Sequence, residues 1–577
     1  MDEEIRKALI IGLERLAAWS DLLDDINVFP IADGDTGRNL IISLAPLRQF
    51  KNDREKTIRT LLLSARGNSG NIAARFFSGL LTADSAEDLP QAAGLGRDRA
   101  WKAIDAPVTG TMLDVLDAMA EAVETYDVKE TPHTVSKMTQ YLAKAVRSTP
   151  ELLPKLKDAG VVDSGALGMF IFFEGFLRSL AGSPEEFQPI TTLFDGLLKI
   201  SPSFIDSRGG GYCVDMVVRF DDKSEEQIQR LSEHGDSVVV IPHDDFYKVH
   251  LHTGDRDAAR REIEALCNVV QWSDDNLMEQ TTDFKRNNPD SCIHIMTDAA
   301  GSITREDARN LGFTLLNSYV TAGDKSLPET LFSPSDLYQY MRNGIKASSS
   351  QASDFERHQC YNSVFNRHER VLYLCVGSFY TGNHNSAIKW KRENDSNDRF
   401  TVIDTSAASG RLGTIVISTA RYATRTNDPN AVIEFAKDAI NKCEEYVFLD
   451  KLQYLAAGGR LSKSSAFFGD LLHMKPVISP LAEGAKKVGV VRNQKEQLQF
   501  ALTKLKESVA DDSSVLMMLQ YTDNKELVGG AIKKEIRNHY PSAEIILQQL
   551  SLTSGVHMGP GTWSLAFMPD SVGPLDH

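Results

Sequence analysis

Two carboxylates, Asp33 and Asp35, flank one glycine in the run Asn27-Val28-Phe29-Pro30-Ile31-Ala32-Asp33-Gly34-Asp35-Thr36-Gly37-Arg38-Asn39-Leu40. Glycine between two aspartates lets the backbone curl so that both side chains converge. Converging carboxylates repel each other unless a hard cation such as Mg²⁺ neutralises them. Taken alone, the dipeptides also fit a plain loop of Asp-Gly turns. Three further glycine loops follow: Ser64-Ala65-Arg66-Gly67-Asn68-Ser69-Gly70, Gly110-Thr111-Met112-Leu113 and Gly160-Val161-Val162-Asp163-Ser164-Gly165. No Gly-Lys dipeptide occurs, so a Walker A loop is excluded, and no G-x-G-x-x-G follows a strand. ATP, if bound, must then be held through metal and glycine loops. A second constellation sits in Lys248-Val249-His250-Leu251-His252-Thr253, where alternation on a strand puts both histidines on one face. With Cys213 they make a thiolate and two imidazoles, a donor set suited to Zn²⁺. The same spacing fits two strand histidines beside a buried cysteine, and no fourth ligand is evident.

The elements that position these residues fall into three regions. A length of 577 residues calls for several domains. Residues 1–190 are predicted helical, with Leu9, Ile10, Leu13, Leu16, Ala17 and Leu23 at helical spacing, and the glycine loops gather at one end of a bundle. Ser201–Gly211 has the composition of a linker. A middle α+β domain over 205–287 is expected to contain strands 212–220, 237–241 and 247–251 with helices near 225–233 and 257–267. Across 291–570, the strands 293–297, 371–376, 401–404, 446–449 and 514–519 alternate with helices, which predicts a parallel sheet. Ligands in such folds sit at carboxyl ends of strands, here marked by Thr297-Asp298, Gly377-Ser378 and Asp404-Thr405.

Composition bounds the partners. A net charge of -16 argues against a general binder of nucleic acid or anionic membrane, since both need basic faces. The six cysteines form no CxxC pair, as expected in a reducing cytoplasm. The acidic start Met1-Asp2-Glu3-Glu4 is no signal peptide, and the most apolar run, 166–180, is broken by Glu174 and Arg178. A soluble cytoplasmic protein with no membrane span is the expectation.

The order DGDTG, ARGNSG, GTML and AGVVDSG over residues 1 to 185 resembles the nucleotide-binding L subunit of dihydroxyacetone kinase, in the form found at the N-terminus of bacterial fatty acid kinase. The resemblance implies an eight-helix barrel with Mg²⁺ at one mouth. Asp33 and Asp35 would be metal ligands, with Asn27 in place of a third, usually acidic, ligand. Thr36, Gly37, Arg38, Asn39, Asn68 and Ser69 would line the phosphates, and Thr111, Met112, Asp163 and Gly165 would approach base and ribose. Arg38 stands where a small polar residue is more common. The YC and HxHT motifs resemble the middle domain of fatty acid kinase and imply zinc held by Cys213, His250 and His252.

Residues 292 to 570 resemble the DegV family of fatty-acid-binding proteins through Thr297-Asp298-Ala299-Ala300, Ala347–Ser353, Gly377–Gly382, Asp404–Gly410, Leu452–Ser462 with its Gly458-Gly459-Arg460, and His557-Met558-Gly559-Pro560-Gly561. This implies a two-lobed α/β domain around a buried acyl chain. Ser349, Ser378 and His557, with backbone near Gly382, would hold the carboxylate without a full buried cation. Ser349 stands in place of the usual Thr, Ala352 in place of a Pro, and Ala299 and Ala300 in place of hydroxyl residues. These departures leave chain-length selectivity open.

Together the resemblances imply a kinase that uses ATP and Mg²⁺ to phosphorylate a fatty acid carried by the same chain. Its acyl phosphate would pass to a downstream acceptor enzyme. The acyl and ATP mouths would meet within one chain or across a homodimer. Two rivals are a dihydroxyacetone-type small-molecule kinase and a non-catalytic lipid-binding or sensing protein.

Overall fold

The computed structural model describes the chain apart from residues 51–52, 131, 184–186, 206–209, 221–229, 278–290, 458–473, 510–512 and 574–577. The Gly458–Ser462 motif, most of the expected 225–233 helix and the junction after Arg286 lie outside the described residues. Two compact units result: Met1–Arg286 with Phe355–Asn366, and Asn287–Asp354 with Arg367–His577.

The first unit opens with helices α1 (Glu3–Ala18), α2 (Ser20–Asp25), α3 (Thr36–Leu44), α4 (Arg54–Ser64), α5 (Gly67–Leu80), α6 (Leu89–Trp101), α7 (Met112–Thr125), α8 (Pro132–Leu152), α9 (Pro154–Ala159) and α10 (Ser164–Leu180). Their apolar stripes form one buried cluster, in which Phe76, Phe77, Phe172 and Phe173 pack edge-on. Helix α10 is buried along nearly its whole length, including Glu174, which pairs with Arg15 of α1. Arg15 donates to Gln359 at 2.7 Å and Arg48 to Glu356 at 2.6 Å, so the distant helix Asp354–Arg367 packs into this unit.

Strands β1 (Tyr212–Arg219), β2 (Asp236–Pro242), β3 (Tyr247–Thr253) and β4 (Asn268–Asn276) make an antiparallel sheet in the order β2-β3-β1-β4. Alternation divides it into two faces. Val214, Met216, Val218, Val249 and Leu251 pack with Ile263 of the helix Arg256–Leu266. The opposite face carries Cys213, Asp215, Lys248, His250, His252, Ser273 and Asp275, and it ends in Val217, Val239 and Ile241, which join the core of the helices. Strand β4 was absent from the expected elements because its sequence is largely polar and half-exposed.

The second unit holds three sheets. Strands β5 (His294–Asp298), β6 (Phe313–Leu316), β10 (Val371–Cys375) and β11 (Phe400–Asp404) form a parallel sheet in the order β11-β10-β5-β6. Strands β7 (Ser318–Ala322), β8 (Lys325–Pro328) and β9 (Ala347–Gln351) form an antiparallel one, order β8-β7-β9. Strands β12 (Glu444–Phe448), β13 (Lys475–Leu481), β14 (Gly484–Val491), β15 (Val515–Tyr521), β16 (Glu544–Gln549) and β17 (Trp563–Pro569) form a mixed sheet. The expected single parallel sheet is thus corrected. Strands β12 and β15 leave it because β17 pairs antiparallel with both. Buried Glu445 on β12 fastens this arrangement, accepting hydrogen bonds from Ser409 Oγ (2.8 Å), Arg411 N–H (3.0 Å), Gln520 Nε2 (2.8 Å) and Ser564 Oγ (3.0 Å). Among the described residues no helix is long and apolar enough to cross a membrane.

The approach of α3 to α2 tolerates no side chain at Gly37, where a Cβ would overlap the Ser20 carbonyl. Gly37→Ala is expected to destabilise the first unit by about 1–3 kcal/mol, read as a lowered thermal midpoint. An unchanged midpoint contradicts this packing.

Candidate active site

Asp33 and Asp35 lie in the short turn that leads into α3, with Gly34 at φ 63°. Both carboxylates are buried, at 8% and 9% exposure. Burial first, and then the neighbouring Asp35 charge, raises the Asp33 carboxyl well above its ordinary range. The turn is braced from outside. Asp24 Oδ1 accepts from the N–H groups of Gly37 (2.7 Å) and Arg38 (3.2 Å), so α3 is capped by a residue 13 positions upstream and Asp35 is spared that task. Asn27 donates to Asp33 Oδ1 and to the Ile31 carbonyl, both at 3.0 Å, and its own oxygen accepts from Thr36 N–H and Oγ1. Asn27, expected as a third metal ligand, thus lies beside Asp33 and bridges it to Thr36. Two adjacent buried carboxylates remain, and they fit a divalent cation.

One cleft joins this turn to the other glycine loops. Asp33, Asp35 and Thr36 share its wall with Asn68 and Ser69, Thr111 and Met112, and Asp163 and Gly165. Counted out to its open mouth, the cleft spans about 920 Å³. Each loop is set by a helix start. Thr111 caps α7 through a reciprocal box with Asp114, and Asp163 caps α10 by accepting from Ala166 N–H at 2.7 Å. Burial, reinforced by the Asp114 charge, pushes the Asp163 carboxyl up to about 7. Ser164 reaches Thr36 Oγ1 at 3.1 Å. Gly37, Arg38 and Asn39 stand outside this wall. Gly37 packs on Ser20, Arg38 lies 4.0 Å from Asp35, and Asn39 packs behind Gly67.

The polar face of the middle sheet closes the same cleft with Cys213, His250 and His252. Cys213 sits opposite His252 in the β1–β3 ladder, and Asp215 sits opposite His250. One ligand atom from each of Cys213, His250 and His252 lies within 4.8 Å of the others. The residues fit a zinc ion: one sulfur and two ring nitrogens, all on buried residues, with His250 Nε2 lacking a hydrogen-bond partner among the described residues. Burial and then the charge of His250 hold His252 down to about 3. Burial followed by the Asp215 charge pushes the Cys213 thiol up, a shift that a bound cation reverses. Neither Asp24 nor Asp215 stood out in the sequence, since each acts through contacts that no local spacing announces.

In the second unit Ser349 and His557 meet, Oγ to Nε2, at 3.0 Å. The side chain of Gln351, two residues along β9, lies against Gly382. Ser378 is exposed just beyond β10, and its N–H donates to Asp404. His557 rides on the helix Leu552–Met558, whose Thr553 N–H donates to buried Glu329 at 3.2 Å. Burial raises Glu329 to about 7.

Residues 30–178 match the DAK2 domain model, 209–284 the FakA-like middle domain of fatty acid kinase, and 292–570 the DegV family. Among curated relatives, the uncharacterized protein SH1689 of Staphylococcus haemolyticus is 36% identical over 273 residues, 42% of this chain and 49% of that protein. Protein YloV of Bacillus subtilis is 32% identical over 303 residues, 48% of this chain and 55% of its own. The chain thus spans about half the length of these two relatives. The uncharacterized protein SAR1202 of Staphylococcus aureus is 25% identical over 93% of this chain and 94% of its own length. Solved structures that resemble the chain include a fatty-acid-binding DegV family protein from Thermus thermophilus, with 22% identity and TM-score 0.45 over 48% of this chain and 99% of that one. DegV of Bacillus subtilis, also a fatty acid binding protein, shows 19% identity and TM-score 0.45 over 48% of this chain and all of its own.

Two outcomes follow from these geometries. Purified protein is expected to retain about one Zn²⁺ per chain, and Cys213→Ser or His252→Ala to retain only a small fraction of it, by elemental analysis; equal metal content in all three contradicts the site. Glu329 carries its proton more readily folded than unfolded, so its contribution is fully present below the unfolded value of about 4.5 and is lost as pH rises through about 7. Glu329→Gln removes that loss. Its unfolding free energy should exceed that of wild type by an amount that grows from about pH 5 to pH 8, reaching about 3 kcal/mol, and a constant difference would refute the assignment.

Proposed function

Because one chain joins regions matching the DAK2 domain, the FakA-like middle domain of fatty acid kinase and the DegV family, we propose that it transfers the γ-phosphoryl group of ATP to the carboxylate of a fatty acid. The observation that carries this reading is the single cleft where the Asp33–Asp35 turn, the three other glycine loops and the Cys/His cluster converge. The resemblance extends the reading to an eight-helix barrel for the N-terminal region and two lobes around the acyl chain.

A fatty carboxylate is ionised at neutral pH, with a reference value of about 4.3 for an alkyl carboxyl, so its attack needs no general base. One carboxylate oxygen forms the new bond to the γ-phosphorus, the bond to the β,γ-bridging oxygen breaks, and ADP leaves with that electron pair. The products are an acyl phosphate and ADP. Catalysis then rests on positioning and charge neutralisation. Asp33 and Asp35 would hold Mg²⁺, which when bound neutralises and orients the phosphates. Cys213, His250 and His252 would hold Zn²⁺, which when bound adds a second positive centre on the facing wall. Asn68 and Ser69, at the start of α5, offer amide and hydroxyl donors to phosphate oxygens. Ser349 and His557, paired Oγ to Nε2, would orient the Ser349 hydroxyl toward the acyl carboxylate, together with Ser378 and the backbone near Gly382.

Incubation with ATP, Mg²⁺ and a long-chain fatty acid in the presence of hydroxylamine tests the reading. Wild type should accumulate acyl hydroxamate with matching ADP. Asp35→Asn should lower that rate by at least about 100-fold, the scale for losing one preorganised charge-stabilising group. Phosphorylation of dihydroxyacetone, or fatty acid binding with no hydroxamate, would instead establish one of the two rival readings.

A further inference from the structure

Asp215 lies outside every role assigned above, yet it is buried between the metal candidate and the loop that faces the phosphates. Its Oδ2 accepts from Gly67 N–H and its Oδ1 from Asn71 Nδ2, each at 3.0 Å. Both donors belong to the first five residues of α5, beside Asn68 and Ser69 of the cleft wall. On the sheet side, Lys248 Nζ lies 3.5 Å and His250 Nδ1 3.4 Å from Oδ1. His250 is the direct ladder partner of Asp215, so both side chains leave the same face.

The ring is held at Nδ1, which lies 3.4 Å from Asp215 Oδ1 and 3.9 Å from Cys213 Sγ. A carboxylate beside Nδ1 favours the proton there and leaves the Nε2 lone pair free. Nε2 is the buried ring atom without a partner among the described residues, on a residue that lines the cleft with Cys213 and His252. Carboxylates that fix a ligating imidazole this way raise its basicity and its metal affinity. Lys248 already supplies the counter-charge that burial of Asp215 demands. The two donors from α5 therefore do more than neutralise. They make the place of this carboxylate depend on the place of the phosphate loop. That loop has little slack, since Gly67 sits at φ +61° and a Cβ there would overlap the Asn39 amide.

We propose that Asp215 is a positioning residue that couples the Cys213–His250–His252 metal site to the turn at residues 67–71, so that metal occupancy and nucleotide affinity rise and fall together. The coupling is reciprocal, because whatever zinc adds to nucleotide binding, nucleotide adds to zinc binding. This rests on the zinc reading of the site, but it concerns equilibria rather than turnover.

The test uses the full chain, stripped of metal and reloaded with Zn²⁺ or Co²⁺. Zinc affinity is read by competition with a chelating dye, ADP affinity by calorimetry at fixed Mg²⁺, and site geometry by the visible absorption of the Co²⁺–thiolate form. Zinc-loaded wild type should bind ADP more tightly than the stripped form. Asp215→Asn should weaken zinc by about 10- to 100-fold, shift the Co²⁺ spectrum and abolish the effect of zinc on ADP. Asn71→Ala removes the bond to Asp215 and the bond to the Gly67 carbonyl at 2.7 Å, and it should reduce the coupling while zinc affinity stays within about twofold. It serves as the second variant should Asp215→Asn fail to fold. Equal ADP affinities for loaded and stripped wild type, or wild-type zinc affinity in Asp215→Asn, overturn the proposal while leaving the metal site intact. A wild type that takes up no zinc overturns the metal reading itself.

Discussion

Two carboxylates buried side by side cannot both keep their charge without a cation between them or a proton shared by them. That constraint, set by Asp33 and Asp35 around Gly34, accounts for much of what surrounds the turn. Asp24 takes over the capping of α3, so Asp35 makes no side-chain cap bond there. Asn27 and Thr36 lock the turn from one side, and Ser164 at the start of α10 locks it from the other. Three more helix starts then bring backbone donors and short polar side chains to the same cleft. Helix N-termini suit a phosphate-rich ligand because their unpaired N–H groups and dipoles point at it.

The sheet that closes the cleft follows the logic of a two-faced antiparallel ladder. Its apolar face is satisfied by the helix Arg256–Leu266, which leaves the second face free to carry Cys213, Asp215, Lys248, His250 and His252 at alternating positions. These would be costly to bury singly. They are tolerated because Asp215 is matched by Lys248, Gly67 N–H and Asn71. Burial works against the charge of Asp215, yet Lys248 and then His250 hold its carboxyl well below the usual range. The interface between helices and sheet is thus polar at its centre and apolar at its edge, where Val217, Val239 and Ile241 join the helical core.

Much of this was legible in the residues. Asp-Gly-Asp with Thr36 announces a turn that gathers charge, and alternation alone puts His250 and His252 on one face, as the ladder shows. The four glycine loops were visible as loops, and representatives of each reach the cleft. Other features depend on long-range contacts that no local pattern encodes. Asp24 belongs to no motif in the sequence, yet it caps α3 across a turn. Asp215 sits in a run of valines and methionine, where its neighbours suggested only a buried strand. Strands β12 and β15 had the apolar composition of parallel strands, but β17, more than forty positions after β15 begins, inserts antiparallel between them. Gly37 and Asn39 followed the phosphate motif in sequence and serve packing in space.

The central claim is that the oxygen of a fatty carboxylate becomes bonded to the phosphorus of ATP. A fatty acid labelled with ¹⁸O in its carboxyl group tests it directly. After reaction with ATP, the acyl phosphate should show ¹⁸O in the bridge to phosphorus, seen as the isotope shift of its ³¹P resonance. Formation of ADP with unlabelled inorganic phosphate as the only other phosphorus product would contradict the account.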